Sequence, residues 1–287
     1  MAERVIEANE VELCTEPFGD SADEAVLLIM GLGASMLWWE EGFCRMLADA
    51  GRFVIRYDHR DTGRSVTYEP GKPGYSGADL VADAVGVLDA YGIGAAHVVG
   101  VSAGGALAQL LAVESPDSVR SLVAISTTPV TRGDRSLPGP TADFGRFISS
   151  ATVDWSDATS IIGYQVGYSR MLAGDQRPFD EDAQRTLIER DVERAMDVTA
   201  LQNHDAIPGD DYSSQTLATI VAPTLVIHGT ADPMVPLRHG EELAAEIPGA
   251  RFLPIDGAGH GVDRADWTTM ASAIVEHTSP ADRADGY

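Results

Sequence analysis

Short apolar runs rich in β-branched residues recur along the chain: Ala25–Met30 (AVLLIM), Phe53–Tyr57 (FVIRY), His97–Val101 (HVVGV), Ser121–Ile125 (SLVAI), Thr224–His228 (TLVIH) and Arg251–Ile255 (RFLPI). Each is five or six residues long, the length of a strand buried on both faces. Between the first four lie stretches with apolar residues at helical spacing, about Met36–Ala50, Gly77–Tyr91 and Ala103–Glu114. Strand alternating with helix predicts right-handed crossovers and a mostly parallel, doubly wound α/β sheet. Two weaker runs ahead of them, Val5–Ala8 and Val11–Pro17, predict an antiparallel hairpin on one edge and bring the sheet to about eight strands.

The alternation stops after Ile125 and resumes at Thr224. The residues between carry helical patterns and no convincing strand, which predicts a helical insertion. Its helices are expected near Ala142–Ser150, Ser156–Ala173 and Glu181–Asn203, with Pro138, Pro140 and Pro178 as punctuation. The expected division is a core of residues 1–127 and 215–287 with a helical lid over 128–214. Phe144, Phe147, Trp155, Tyr164, Tyr168 and Phe179 give the insertion an aromatic face. Most of that face is expected to pack lid against core, and the rest to line an apolar substrate pocket. The tail after Thr278 (SPADRADGY) is polar and expected to fray.

Composition narrows the partners. In 287 residues, 20 Lys+Arg against 44 Asp+Glu leave a net charge of −24. Phosphate backbones and anionic membrane surfaces are recognised by clustered cations, so neither nucleic acid nor membrane is an expected partner. Lys72 is the one lysine, and it lies in Gly71-Lys72-Pro73, where the Ser or Thr of a phosphate-binding loop is missing. The longest uncharged apolar stretch, Ala25–Trp39, holds 15 residues and two glycines, too short and broken to span a bilayer. The start Met-Ala-Glu-Arg has neither a cationic beginning nor an apolar run, so no signal peptide is expected. Cys14 and Cys44 are isolated, which suits a reducing cytoplasm, and no Cys/His cluster has metal-ligand spacing. The expectation is a cytoplasmic protein without metal or cofactor.

The chemistry concentrates in Gly100-Val101-Ser102-Ala103-Gly104, which follows one strand run and opens a helical one. That is the setting of a nucleophile elbow, G-x-S-x-G: the chain turns so sharply that residues two before and two after the serine must lack bulk. Ser102 then stands at the positive end of a helix, above the strand ends. A serine hydroxyl needs a base, and the base needs an orienting carboxylate. Asp232 follows TLVIH in HGTADPMVP, and His260 follows RFLPI in DGAGH. Both fall at C-terminal strand ends, where sites gather in open parallel sheets. The alternative acid position is vacant, because the loop after SLVAI has no carboxylate before Asp134.

The backbone N–H of Ala103 is the first expected oxyanion donor. The second is expected in Met30-Gly31-Leu32-Gly33, with Leu32 N–H the favoured donor. Among other histidines, His97 reads as structural, and His59, His228, His239 and His277 as solvated or satisfied in the core. His204, at the end of an insertion helix, is the runner-up as a pocket residue, with Trp38, Tyr164 and Tyr168 as the other pocket candidates. Asp58, Arg60, Asp61 and Arg64 in RYDHRDTGRS read as a structural loop held by Arg–carboxylate pairs.

These residues resemble the α/β-hydrolase superfamily, over the whole chain except the lid. VELCTEPFGD, AVLLIMGLGASMLWW, VIRYDHRDTGRS and AHVVGVSAGG look like the aclacinomycin methylesterase group, whose members remove a methyl ester from anthracycline polyketides. Met30 stands where many relatives have the His of an HG motif, and Ser-Ala-Gly-Gly replaces the common Ser-Met-Gly. Haloalkane dehalogenation and epoxide opening belong to families with Asp at the elbow, whereas this chain has Ser102. The resemblance implies a serine hydrolase acting on a small, largely apolar ester through Ser102, His260 and Asp232. Lactone hydrolysis, C–C hydrolysis and cofactor-free perhydrolysis use the same triad, and a non-catalytic ligand-binding homologue would keep the same fold.

Overall fold

The computed structural model describes residues 2–131, 136–207 and 216–279. Eight strands form one sheet: β1 (Arg4–Ala8), β2 (Val11–Phe18), β3 (Glu24–Ile29), β4 (Arg52–Tyr57), β5 (Ala96–Val101), β6 (Val119–Ile125), β7 (Thr224–Gly229) and β8 (Arg251–Ile255), in the order β1-β2-β4-β3-β5-β6-β7-β8. The β1–β2 hairpin and the β2–β4 pair are antiparallel, and all later neighbours are parallel. The expected edge hairpin and parallel body are both present.

Period-two alternation sends successive side chains to opposite faces. Leu27, Ile29, Val98, Leu122 and Ala124 join one apolar cluster with α2 (Gly77–Ala90), α3 (Ala103–Glu114) and α8 (Arg238–Glu246). Val26, Leu28, Val99, Val101, Val123 and Ile125 join the other, with α1 (Glu41–Asp49) and α9 (Trp267–His277). Because both faces are covered, the strands read as continuous apolar runs. The chain moves from β3 outward to β4, then crosses back to place β5 on the other side of β3. That reversal opens a crevice at the C-terminal ends of β3 and β5.

Between β6 and β7 the described residues hold α4 (Ala142–Ser150), α5 (Ala158–Leu172), α6 (Glu181–Arg194) and the short α7 (Asn203–Ala206), with no strand. The expected lid boundary at 214, Asp134 and the tail from 280 lie outside the described residues. Two expected helices are shorter than the spacing suggests. Glu181–Asn203 breaks after Arg194, because Met196 N–H leaves the helix for Gly63 C=O (2.8 Å) and Asp197 caps a new 3-10 turn by accepting from Thr199 N–H. Met36–Ala50 becomes a 3-10 turn over Met36–Trp38 followed by α1, since Trp39 C=O is taken by Arg56 Nη1 and Cys44 Sγ. No helix among the described residues is long and apolar enough to cross a membrane.

Candidate active site

β5 ends at Val101 and α3 begins at Ala103, leaving Ser102 alone in the turn at φ +55° and ψ −124°. A non-glycine residue holds such a conformation only where its surroundings dictate it. Here Ser102 N–H donates to Ile125 C=O (2.9 Å), and Ser102 C=O accepts from Gly105 and Ala106 N–H. The flanking glycines are steric necessities: a Cβ on Gly100 would lie 2.2 Å from Gly104 O, and one on Gly104 would lie 2.3 Å from Ile29 O. The Ser102 hydroxyl is half-buried and makes no hydrogen bond among the described residues.

At the end of β7, Asp232 is clamped by its own loop, Oδ1 accepting from Met234 N–H (3.0 Å) and Val235 N–H (2.8 Å). Its Oδ2 accepts from His260 Nδ1–H at 2.8 Å, with the carboxylate fully buried. A carboxylate at Nδ1 fixes the proton there and leaves Nε2 bare, the tautomer a general base requires. Backbone bonds fasten the His260 loop to two other elements. His260 N–H donates to Leu172 C=O at the end of α5 (2.8 Å), and Gly261 N–H donates to Ser126 Oγ (3.2 Å). Ile125 and Ser126, consecutive at the end of β6, therefore anchor the serine elbow and the histidine loop side by side.

Met30–Gly33 crosses the crevice beside β5. A Cβ on Gly31 would sit 3.3 Å from Ser102 Cβ, a tight contact, so the glycine lets this backbone lie close against the serine. Leu32 follows directly, and Ala103 N–H opens α3 beneath the elbow.

The expected pocket residues behave differently from one another. Tyr164 stacks on Phe147 (centroids 5.9 Å, 16°), and Tyr168 packs on Phe144 at 5.7 Å. Tyr168 OH also reaches Met234 Sδ (3.7 Å), next to the Asp232 loop. Burial pushes the Tyr168 phenol up to about 12, so it stays a neutral wall. Trp38 is committed elsewhere, its indole N–H donating to Asp191 Oδ2 on α6 at 2.8 Å. Burial raises the pKa of that carboxyl, with hydrogen bonds from Ser35 and Trp38 opposing the rise. His204 is also no pocket lining: it is buried, and both ring nitrogens are bonded to backbone, Nδ1 to Gly33 N–H (2.6 Å) and Nε2 to Arg60 C=O (2.8 Å).

The charged loop is structural, as expected, but most of its partners come from elsewhere. Arg60 makes a two-pronged pair with Asp83 (2.7 Å each), Asp58 accepts from Arg194 of α6 (2.7 Å), and Arg64 reaches Glu3 (3.0 Å). Asp61 accepts from Tyr75 OH and Asn203 Nδ2 rather than from an arginine. His228 is buried with Nε2 on Val235 C=O, and His239 binds Thr128 and Pro138. A second Ser–His–carboxylate set, Ser121, His97 and Glu24, sits at the opposite end of the sheet. Ser121 is 2% exposed, so no substrate could reach it. An open cleft of about 640 Å³ beside Arg4, Pro17 and Phe53 is equally remote from the elbow. No group of three or more His, Cys, Asp or Glu residues among the described residues could hold a metal ion.

A family model described as the alpha/beta hydrolase fold matches residues 24–262. Rhodomycin D methylesterase DauP of Streptomyces sp. (strain C5) is 36% identical over 98% of this chain and 99% of its own length. Rhodomycin D methylesterase DnrP of Streptomyces peucetius is 34% identical over 98% and 99%. Among solved structures, an esterase (EaEST) from Exiguobacterium antarcticum superposes with a TM-score of 0.77, covering 96% of this chain and 99% of that one at 19% identity, a likeness of fold. By its sequence match and its strand order alike, the chain belongs to the α/β-hydrolase fold family.

Proposed function

We propose that this protein is a serine hydrolase that cleaves a carboxylic ester, with the methyl ester of a polyketide-like compound as its substrate class. The observation that carries the reading is that the end of β6 anchors both the strained serine turn and the loop of the His260 that is bonded to buried Asp232. Two near-full-length relatives named as methylesterases support the ester and its methyl group.

In this reading Ser102 is the nucleophile. His260 Nε2 takes its proton while Oγ attacks the ester carbonyl, and Asp232 holds the imidazole in the required tautomer. Leu32 N–H and Ala103 N–H donate to the oxyanion, at a helix N-terminus that favours negative charge. His260 then protonates the leaving methoxide and activates the water that releases the acyl group. Helices α4–α7 belong to the proposed lid of 128–214, and α5 brings Leu172 and Tyr168 to the His260 and Asp232 loops. Tyr164 and Tyr168 offer an aromatic wall to a neutral, largely apolar acyl group. Cys14 and Cys44 are both free, buried thiols, consistent with a cytoplasmic setting.

The test is methanol release from a neutral polycyclic methyl ester such as methyl 2-naphthoate. Ser102→Ala should lower kcat by about 10⁴-fold or more. Unchanged methanol release by a folded Ser102→Ala protein would refute the mechanism.

A further inference from the structure

Met30–Gly33 is gripped from outside at both ends by imidazoles. At one end His59 Nε2–H donates to Met30 C=O (2.8 Å). At the other, Gly33 N–H donates to His204 Nδ1 (2.6 Å), while His204 Nε2–H donates to Arg60 C=O (2.8 Å). The partners dictate the His204 tautomer. An amide N–H can only donate, so Nδ1 must be bare, and a carbonyl can only accept, so Nε2 must carry the proton. Gly33 sits at φ +77° with no atom within 4 Å of where a Cβ would be, and its amide is bonded to His204. Leu32 lies between these grips, one residue from Gly31, whose backbone abuts Ser102.

We propose that His204 is the positioning residue of the oxyanion hole: by accepting from Gly33 N–H, it holds the Leu32 N–H aimed at the carbonyl oxygen of a substrate on Ser102. The inference rests on the reading of Ser102 as the nucleophile. It also gives the insertion a role in the chemistry, because His204 belongs to α7 and the loop it holds belongs to the core. Burial brings the His204 pKa down to about 4, so the ring remains the neutral acceptor this role needs at neutral pH. His204 does not touch substrate. Its effect passes through one backbone amide, and an oxyanion donor matters only once charge develops in the transition state.

The experiment compares His204→Leu, His204→Asn and His204→Gln in the full chain, with p-nitrophenyl acetate as the probe ester. The Asn oxygen can stand where Nδ1 does and still accept from Gly33 N–H. The Gln side chain places its amide at the Nε2 position, toward Arg60. Expected for His204→Leu is a fall of about 10- to 100-fold in kcat with KM within about 3-fold. His204→Asn should recover kcat to within about 5-fold of the parent, and His204→Gln should not. If His204→Leu retains kcat within about 3-fold, or if Asn and Gln behave alike, the positioning role is wrong. Should His204→Leu fail to fold, the Asn and Gln pair decides alone. A parent protein in which Ser102→Ala leaves turnover untouched would overturn the hydrolase reading itself, a result distinct from any of these.

Discussion

Two imidazoles in this chain are set to different tasks by what meets their Nδ1 atoms. At His260 the partner is the Asp232 carboxylate, which demands a proton on Nδ1 and frees Nε2. At His204 the partner is Gly33 N–H, which demands a bare Nδ1. Protonating His204 would turn that acceptor into a second donor and break the bond. Its folded pKa, about 4, lies below the ordinary value near 6.5. The unfolded chain therefore binds the extra proton first as pH falls. The stability contribution is complete above about pH 6.5 and is lost between there and about pH 4. Burial lowers the pKa values of His59 and His228 too, and they act with the same sign, whereas the raised Asp191 carboxyl acts with the opposite one. Urea midpoints measured from pH 7 to pH 4.5 should fall more steeply for the parent than for His204→Asn, which has nothing to titrate there. Equal slopes would mean that His204 is not the buried neutral ring described.

The element that joins insertion to core is α6 with its continuation into α7. Asp191 accepts from Trp38, Arg194 donates to Asp58 and Glu3, Asn203 donates to Asp61, and His204 holds Gly33. Spacing alone ran this helix to Asn203. It ends at Arg194 because a tertiary partner, Gly63 C=O, claims Met196 N–H. The partner of the Trp38 indole is hidden for the same reason: an aromatic carries no sign that Asp191, 153 residues away, awaits its N–H. The Arg194–Asp58 pair is buried on both sides, with side chains 6% and 0% exposed. Removing the cation leaves the carboxylate with only the amides of Met36 and Arg64. Arg194→Met should therefore cost about 3 kcal/mol of unfolding free energy, measurable by urea titration. A loss below about 1 kcal/mol would show that α6 is not fastened to the core through this pair.

Across the whole molecule, legibility in the sequence followed the range of the interaction. Strand runs, the antiparallel hairpin and the helix opening at Ala103 are local consequences of period and glycine placement. Each is readable, and so is the elbow, since a serine flanked by two glycines between a strand run and a helical run is a local pattern, although part of what demands Gly104 is Ile29 C=O on another strand. Asp232 and His260 were readable because the sheet edge on which they lie follows from strand order. Ser126, Leu172 and the four anchors on α6 and α7 are not, because each meets a group far off in sequence. Charge also belongs to this scale: a net −24 disfavours anionic substrates at low salt, in keeping with a neutral ester. A working hydrolase requires that His260 and Asp232 activate Ser102. Treatment with a fluorophosphonate, followed by intact mass and peptide mapping, tests it most directly. One adduct per chain, on Ser102, formed by the parent and abolished by His260→Ala, is the predicted result. A folded parent that gains no adduct, or gains it elsewhere, would contradict the account.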